Sequence, residues 1–132
     1  MTGGSWTIWI AIALGSAVGG VLRHAVTEGM IRLVGGAFPW GTLAVNVIGS
    51  LVIGVCVALS ALAPGGWSPL ARHTAMTGLL GGFTTFSSFS IQTLVLVQQG
   101  QWLAAAGNVV MSVGISILAC AAGYTAALAA MR

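Results

Sequence analysis

The chain has 132 residues, of which 58% are hydrophobic and only 4% are charged. Soluble domains carry about 25% charged residues, so this composition excludes a soluble domain and predicts an integral membrane protein. The formal charge of +3 comes from scattered arginines, which give no basic cluster for binding nucleic acid.

The first apolar segment predicts a transmembrane helix over about residues 6–22 or slightly beyond. Its Gly15 and Gly19 form a GxxxG pair, a pattern that lets another helix approach closely. Arg23 would then lie at the membrane interface. Residues 27–39 would form the first connection, which the double glycine at residues 35–36 would end.

A second helix is predicted over residues 40–63, with a proline just before it, where prolines favour the start of a helix. Its polar and small residues share one face because they repeat every four positions: Thr42, Asn46, Ser50 and Gly54. An amide in hydrocarbon needs hydrogen-bond partners. Asn46 therefore either bonds to a neighbouring helix or faces a polar pathway, and its spacing favours neither alternative.

The third predicted helix covers about residues 72–97 and contains the run GLLGGFTTFSSFS. A glycine pair followed by dense hydroxyls predicts that this helix is broken near its middle. Backbone freed at membrane depth is tolerated only where it is buried in protein, lines water or binds an ion. Three phenylalanines follow one side, with a polar stripe beside them: Phe83, Phe86 and Phe89, then Thr85, Ser88 and Gln92.

A fourth helix is predicted over residues 102–131. Asn108, Ser112 and Ser116 recur every four positions on it. The chain is thus expected to form one all-α domain, residues 1–132, with four transmembrane helices and polar stripes on the last three.

The charges show no preferred orientation across a membrane. With four helices, Arg72 and Arg132 fall on one side, and Arg23 and Arg32 fall on the other. A chain without a bias of basic residues can insert either way, which predicts dual topology and an antiparallel homodimer. If Arg23 lies within the membrane, a weak bias remains.

The polar residues of the segments define the chemistry to expect. No Asp, Glu, Lys or His lies in the middle of any predicted helix, which argues against proton coupling and against an enzyme. Hydroxyls, the amides of Asn46 and Asn108, and the positive edges of aromatic rings favour a small, hard anion. Carbonyls exposed at the break around residues 81–84 would instead favour a cation.

Three runs of the sequence resemble the Fluc (CrcB) family of bacterial fluoride channels: GGVLRH, FPWGTLAVNVIGS and GLLGGFTTFSSFS. The resemblance covers essentially the whole chain. It implies a dual-topology homodimer in the bacterial inner membrane, with two antiparallel pores that export fluoride passively. Its partners would be fluoride, the lipid bilayer and a second copy of the chain.

The same resemblance implies roles for particular residues. Phe86 and Phe89 would turn their ring edges to the anion, and Asn46 would support the pore. The carbonyls of Gly81 and Thr84 would hold a structural sodium ion at the dimer interface. Hydroxyls beside the pore would come from the third and fourth helices: Thr85, Ser88, Ser112 and Ser116.

Two positions depart from the family pattern. Gln92 stands where many relatives have a glutamate, and Asn108 stands where a tyrosine can occur. Two other functions remain as alternatives, namely a proton-coupled small exporter and a membrane assembly subunit that transports nothing.

Overall fold

The computed structural model describes residues 3–131. Within that part of the chain, four helical segments are long and apolar enough to cross a membrane, which confirms the predicted number. They are helix α1 (Gly3–Val34), helix α2 (Trp40–Leu62), a composite third segment (Pro69–Gln98) and helix α6 (Trp102–Ala130). Arg132, which entered the charge count, lies outside the described residues.

The predicted end of the first helix is wrong. Helix α1 does not stop near residue 22 but continues to Val34, so most of the expected connection is helical. Residues 23–34 contain no proline, and Gly35 is the first of the described residues with a positive φ, 84°. A glycine in that conformation commonly ends a helix. Arg23 therefore lies inside a continuous helix and not at its end.

The third segment is assembled from shorter pieces. Helix α3 (Pro69–Arg72) is followed by a π-helix (His73–Leu80) and by the single turn α4 (Gly81–Phe83). Helix α5 (Phe86–Gln98) then begins after two residues with extended backbone, Thr84 and Thr85. These two residues separate the α-helical hydrogen bonding of α4 from that of α5.

Small residues set the distances between the helices. Helix α2 packs mainly against α6, and a Cβ atom on Gly54 would collide with the Cys120 carbonyl of α6. Helix α1 packs against the π-helix, where a Cβ atom on Gly19 would collide with the Leu79 carbonyl. The predicted GxxxG face of the first helix is thus a site of close backbone contact within one chain.

Candidate functional site

A groove of about 390 Å³ lies between α2, the interruption of the third segment and α6. None of the residues that line it is ionisable. It brings together eight of the nine predicted site residues: Asn46, Gly81, Thr84, Thr85, Phe86, Phe89, Ser112 and Ser116. The ninth, Ser88, does not line it. Ser50 and Met76 also line the groove, and the sequence did not single them out for it.

Asn46 fixes the backbone at the interruption. Its Nδ2 donates to the Thr85 carbonyl at 3.0 Å, and its Oδ1 accepts from the Thr85 amide at 2.8 Å. The side chain of α2 thus pairs with both backbone groups of one residue in the third segment. Of the two alternatives that the sequence left open, the structure has the bond between helices, made at a position that also lines the groove.

Thr85 begins helix α5. Its Oγ1 accepts from the amide of Ser88 at 3.1 Å and lies 3.1 Å from the Ser88 hydroxyl. A side chain that accepts from the third residue of a helix is an N-cap. This contact places Ser88 in the first turn of α5, and Ser88 does not line the groove.

The two phenylalanines of the groove differ in exposure. The ring centroids of Phe86 and Phe89 are 5.2 Å apart, with the planes tilted by 55°. Phe89 is 7% exposed, whereas Phe86 is 75% exposed. Phe83 is buried in the protein interior and does not line the groove. Phe83 therefore packs in the interior, although it shares the predicted aromatic side with Phe86 and Phe89.

The interruption redirects backbone groups near Gly81 and Thr84. In a continuous helix the Thr85 amide would donate to the Gly81 carbonyl, but here it donates to Asn46. The Thr84 carbonyl accepts from Arg23 Nη1 at 3.3 Å. The contact between Arg23 and the interruption was missed by the sequence analysis, which placed this arginine at a helix end.

The two serines of α6 lie in different surroundings. Ser116 Oγ is buried and has no hydrogen-bond partner among the described residues. Ser112 Oγ donates to Asn108 Oδ1 at 3.3 Å, and Asn108 Nδ2 donates to Thr93 Oγ1 at 2.9 Å. No pattern in the sequence indicated Thr93, because nothing in its spacing pairs it with Asn108.

A second cavity, of about 180 Å³, lies near the connection between α1 and α2. Thr42 and Gln92 contribute to its lining, and Gln92 Oε1 is buried without a partner among the described residues. Gln92 therefore belongs to different surroundings from Thr85, although both lie on the predicted polar stripe.

The four spanning segments and the uncharged groove define a small multi-pass membrane protein. The chain belongs to the CrcB-like protein family, also described as Camphor Resistance (CrcB), whose profile matches residues 10–124. This match confirms the family that the sequence motifs indicated.

Curated relatives align along nearly the whole chain. A protein of Opitutus terrae is 47% identical over 125 residues, which cover 92% of this chain and 93% of the relative. A protein of Paramagnetospirillum magneticum is 47% identical over 121 residues, 88% and 91% of the two chains. One from Rhizobium johnstonii is 47% identical over 123 residues, 93% and 94%. All three are named fluoride-specific ion channel FluC, which makes them channels and not enzymes.

Proposed function

We propose that this protein is a fluoride-selective channel that lowers cytoplasmic fluoride by passive export. The observation that carries the proposal is the groove itself: aromatic rings, hydroxyls and an amide line it, and no ionisable side chain does. The names of the relatives point to the same ion.

The lining suits a small, hard anion. Aromatic rings carry positive charge density at their edges, and Phe86 and Phe89 stand together in the groove. The Ser116 hydroxyl has no partner among the described residues, so its proton is free to bond to an anion. Because the lining contains no carboxylate, lysine or histidine, transport through it has no group for proton coupling.

The working unit of the proposal is an antiparallel homodimer with two pores. The groove is open along one side of the single chain, and Phe86 projects from it with 75% of its surface exposed. A second copy would cover the exposed ring and close the groove. Two-fold symmetry makes every contact of such an interface occur twice, so one dimer would contain two equivalent pathways that run in opposite directions.

The interruption between α4 and α5 is, in this proposal, the break that positions a structural sodium ion. Hard cations bind several oxygens at once, and the Gly81 carbonyl has lost the amide that a continuous helix would give it. Gly81 and Thr84 would supply two carbonyl ligands from each subunit, and the ion would join the subunits. Arg23 opposes a cation there, because its positively charged side chain donates to the Thr84 carbonyl.

Passive export agrees with the energetics of fluoride in bacteria. Neutral hydrogen fluoride crosses the membrane, dissociates at cytoplasmic pH and leaves fluoride trapped as an anion. A negative interior favours exit of a monovalent anion by about 2.3 kcal/mol per 100 mV. A channel in the bacterial inner membrane therefore needs no other energy source.

The proposal is tested by efflux from liposomes that contain the purified protein. Internal fluoride or chloride is released when a potassium ionophore relieves the membrane potential, with and without a proton ionophore. We expect fluoride efflux, no chloride efflux and no effect of the proton ionophore. Fluoride flux that requires a proton gradient would support the small exporter instead. No flux from folded protein would support the assembly subunit.

A further inference from the structure

Four groups form one chain of hydrogen bonds from the groove to the backbone of α5. Ser112 Oγ donates to Asn108 Oδ1 at 3.3 Å, and Asn108 Nδ2 donates to Thr93 Oγ1 at 2.9 Å. Thr93 Oγ1 donates in turn to the Phe89 carbonyl at 2.7 Å. Asn108 is only 1% exposed and Ser112 only 7%, so water does not compete for the amide at the centre of the chain.

The direction of this chain is fixed at its far end. A carbonyl oxygen only accepts, so the Thr93 hydroxyl must donate its one proton to the Phe89 carbonyl. Its oxygen can then only accept from Asn108, which requires the amide nitrogen to face it and the amide oxygen to face Ser112. That oxygen also only accepts, so the proton of Ser112 points to Asn108. The carbonyl of Phe89 thereby decides the direction of a hydroxyl on another helix.

We propose that Asn108 is a positioning residue that turns the Ser112 proton away from the groove. Ser112 then presents lone pairs to the groove, which repel an anion, whereas Ser116 keeps its proton free. The inference rests on the proposed function, because it assigns unequal parts in fluoride passage to two serines of one helix face. Ser116 is the α6 hydroxyl that donates to the anion, and Ser112 becomes a donor to it only when the hydrogen-bond chain is broken.

The length of the bond from Ser112 to Asn108 explains how the Ser112 hydroxyl could be released from the hydrogen-bond chain. Hydroxyl bonds to oxygen are commonly 2.7–2.8 Å long, so the 3.3 Å bond from Ser112 is the weak one. The two inner bonds, at 2.9 and 2.7 Å, are short. Loss of Thr93 would free the amide to rotate by half a turn and donate to Ser112, whose proton would then turn into the groove.

The test compares removal of each serine in two backgrounds, with fluoride efflux from liposomes as the readout. In the wild type we expect Ser116→Ala to slow efflux about tenfold and Ser112→Ala less than about threefold. In Thr93→Val, which lacks the hydroxyl but keeps the shape, we expect Ser112→Ala to slow efflux about as much as Ser116→Ala. Thr93→Ser retains the hydroxyl and should restore the wild-type pattern.

The control substitution is Thr125→Val. Thr125 also donates to a carbonyl one turn earlier, that of Ala121, but it is exposed and does not line the groove. In that background the effects of the two serine substitutions should remain unequal. Equal effects of the serines in the wild type, or an unchanged Ser112→Ala effect in Thr93→Val, would overturn the proposal.

A second readout does not depend on transport. The thermal unfolding temperature of the detergent-purified protein should fall for Thr93→Val and for Asn108→Leu. The double variant should lose less than the sum of the two decreases, because both substitutions remove the hydrogen bond between Thr93 and Asn108. If the two substitutions are coupled in thermal unfolding but the wild type shows no fluoride efflux, the proposed function is rejected and the hydrogen-bond chain is supported. Additive effects would show that the two side chains do not act together, and would reject the chain.

Discussion

At the scale of single residues, the site depends on side chains that take the place of backbone partners. Asn46 pairs with both the N–H and the C=O of Thr85, and the Thr85 hydroxyl caps α5. An interruption in a membrane segment leaves backbone groups that each cost free energy if unpaired. The side-chain amide of Asn46 on α2 thus stabilises this backbone conformation, because it pairs with backbone groups that the third segment does not pair by itself.

Asn46→Leu is expected to destabilise the protein and to abolish most fluoride efflux. It removes both partners of the Thr85 backbone, and Thr85 is only 7% exposed, so each group left unpaired costs about 1–3 kcal/mol. Thermal unfolding and liposome efflux measure the two effects. Ser90→Ala is the matched control, since the Ser90 hydroxyl is exposed and bonds only to the Phe86 carbonyl one turn earlier. Equal stability of Asn46→Leu and wild type would contradict this role.

Some residues of the site could be predicted from the sequence and others could not. The family resemblance named Phe86 and Phe89 for the pore, and the structure puts these two in the groove and Phe83 in the interior. Thr93 and the contact of Arg23 with Thr84 were missed, because each depends on how two distant segments pack. Spacing along one helix shows which residues share a face but does not show what that face meets.

At the scale of elements, the most informative difference from expectation is the length of α1. The predicted helix ended where the first charged residues of the segment appear. Helical hydrogen bonding does not require apolar residues, however, and continues until Gly35 adopts a positive φ. The starts of α2 and α6 and the end of α5 lie within about a residue or two of prediction, because glycine or proline marks those connections.

Glycines set how closely the elements approach, and one substitution tests this directly. Gly54→Val should prevent close packing of α2 on α6, because its Cβ atom would collide with the Cys120 carbonyl, which cannot move as a flexible side chain could. We expect a large loss of folded protein by size-exclusion chromatography in detergent.

The control for that variant is Gly29→Ala. Gly29 lies within α1, and a Cβ atom there would meet nothing within 4 Å. Glycine in a helix interior costs about 0.5–1 kcal/mol relative to alanine, so Gly29→Ala should fold as well as the wild type or better. A normal yield of folded Gly54→Val would show that the two helices do not pack as the structure has them.

At the scale of the whole molecule, the single chain leaves large apolar side chains exposed on every spanning segment, among them Trp9 at 61%, Leu103 at 89% and Phe86 at 75%. Most such side chains suit contact with lipid. Phe86 differs because it stands beside hydroxyls in a groove, which is a poor surface for lipid and a suitable one for a second copy.

The proposed antiparallel assembly predicts two orientations in the membrane. In a background without its two free cysteines, Cys56 and Cys120, single cysteines replace Met131 at the end of α6 or Gln99 after α5. An impermeant thiol reagent applied from outside the cell should label about half of each variant, as a chain with at most a weak bias of basic residues inserts both ways. Complete labelling of one position and none of the other would establish a single orientation.

The central claim, that fluoride passes through the groove beside its two aromatic rings, is tested most directly by Phe86→Ile in the liposome efflux experiment. Phe38→Ile serves as the control, since Phe38 lies near the connection between α1 and α2 and does not line the groove. The account predicts fast fluoride efflux without chloride efflux in the wild type and in Phe38→Ile. In folded Phe86→Ile it predicts that the rate of fluoride efflux falls at least about tenfold. Undiminished fluoride efflux in Phe86→Ile would contradict it.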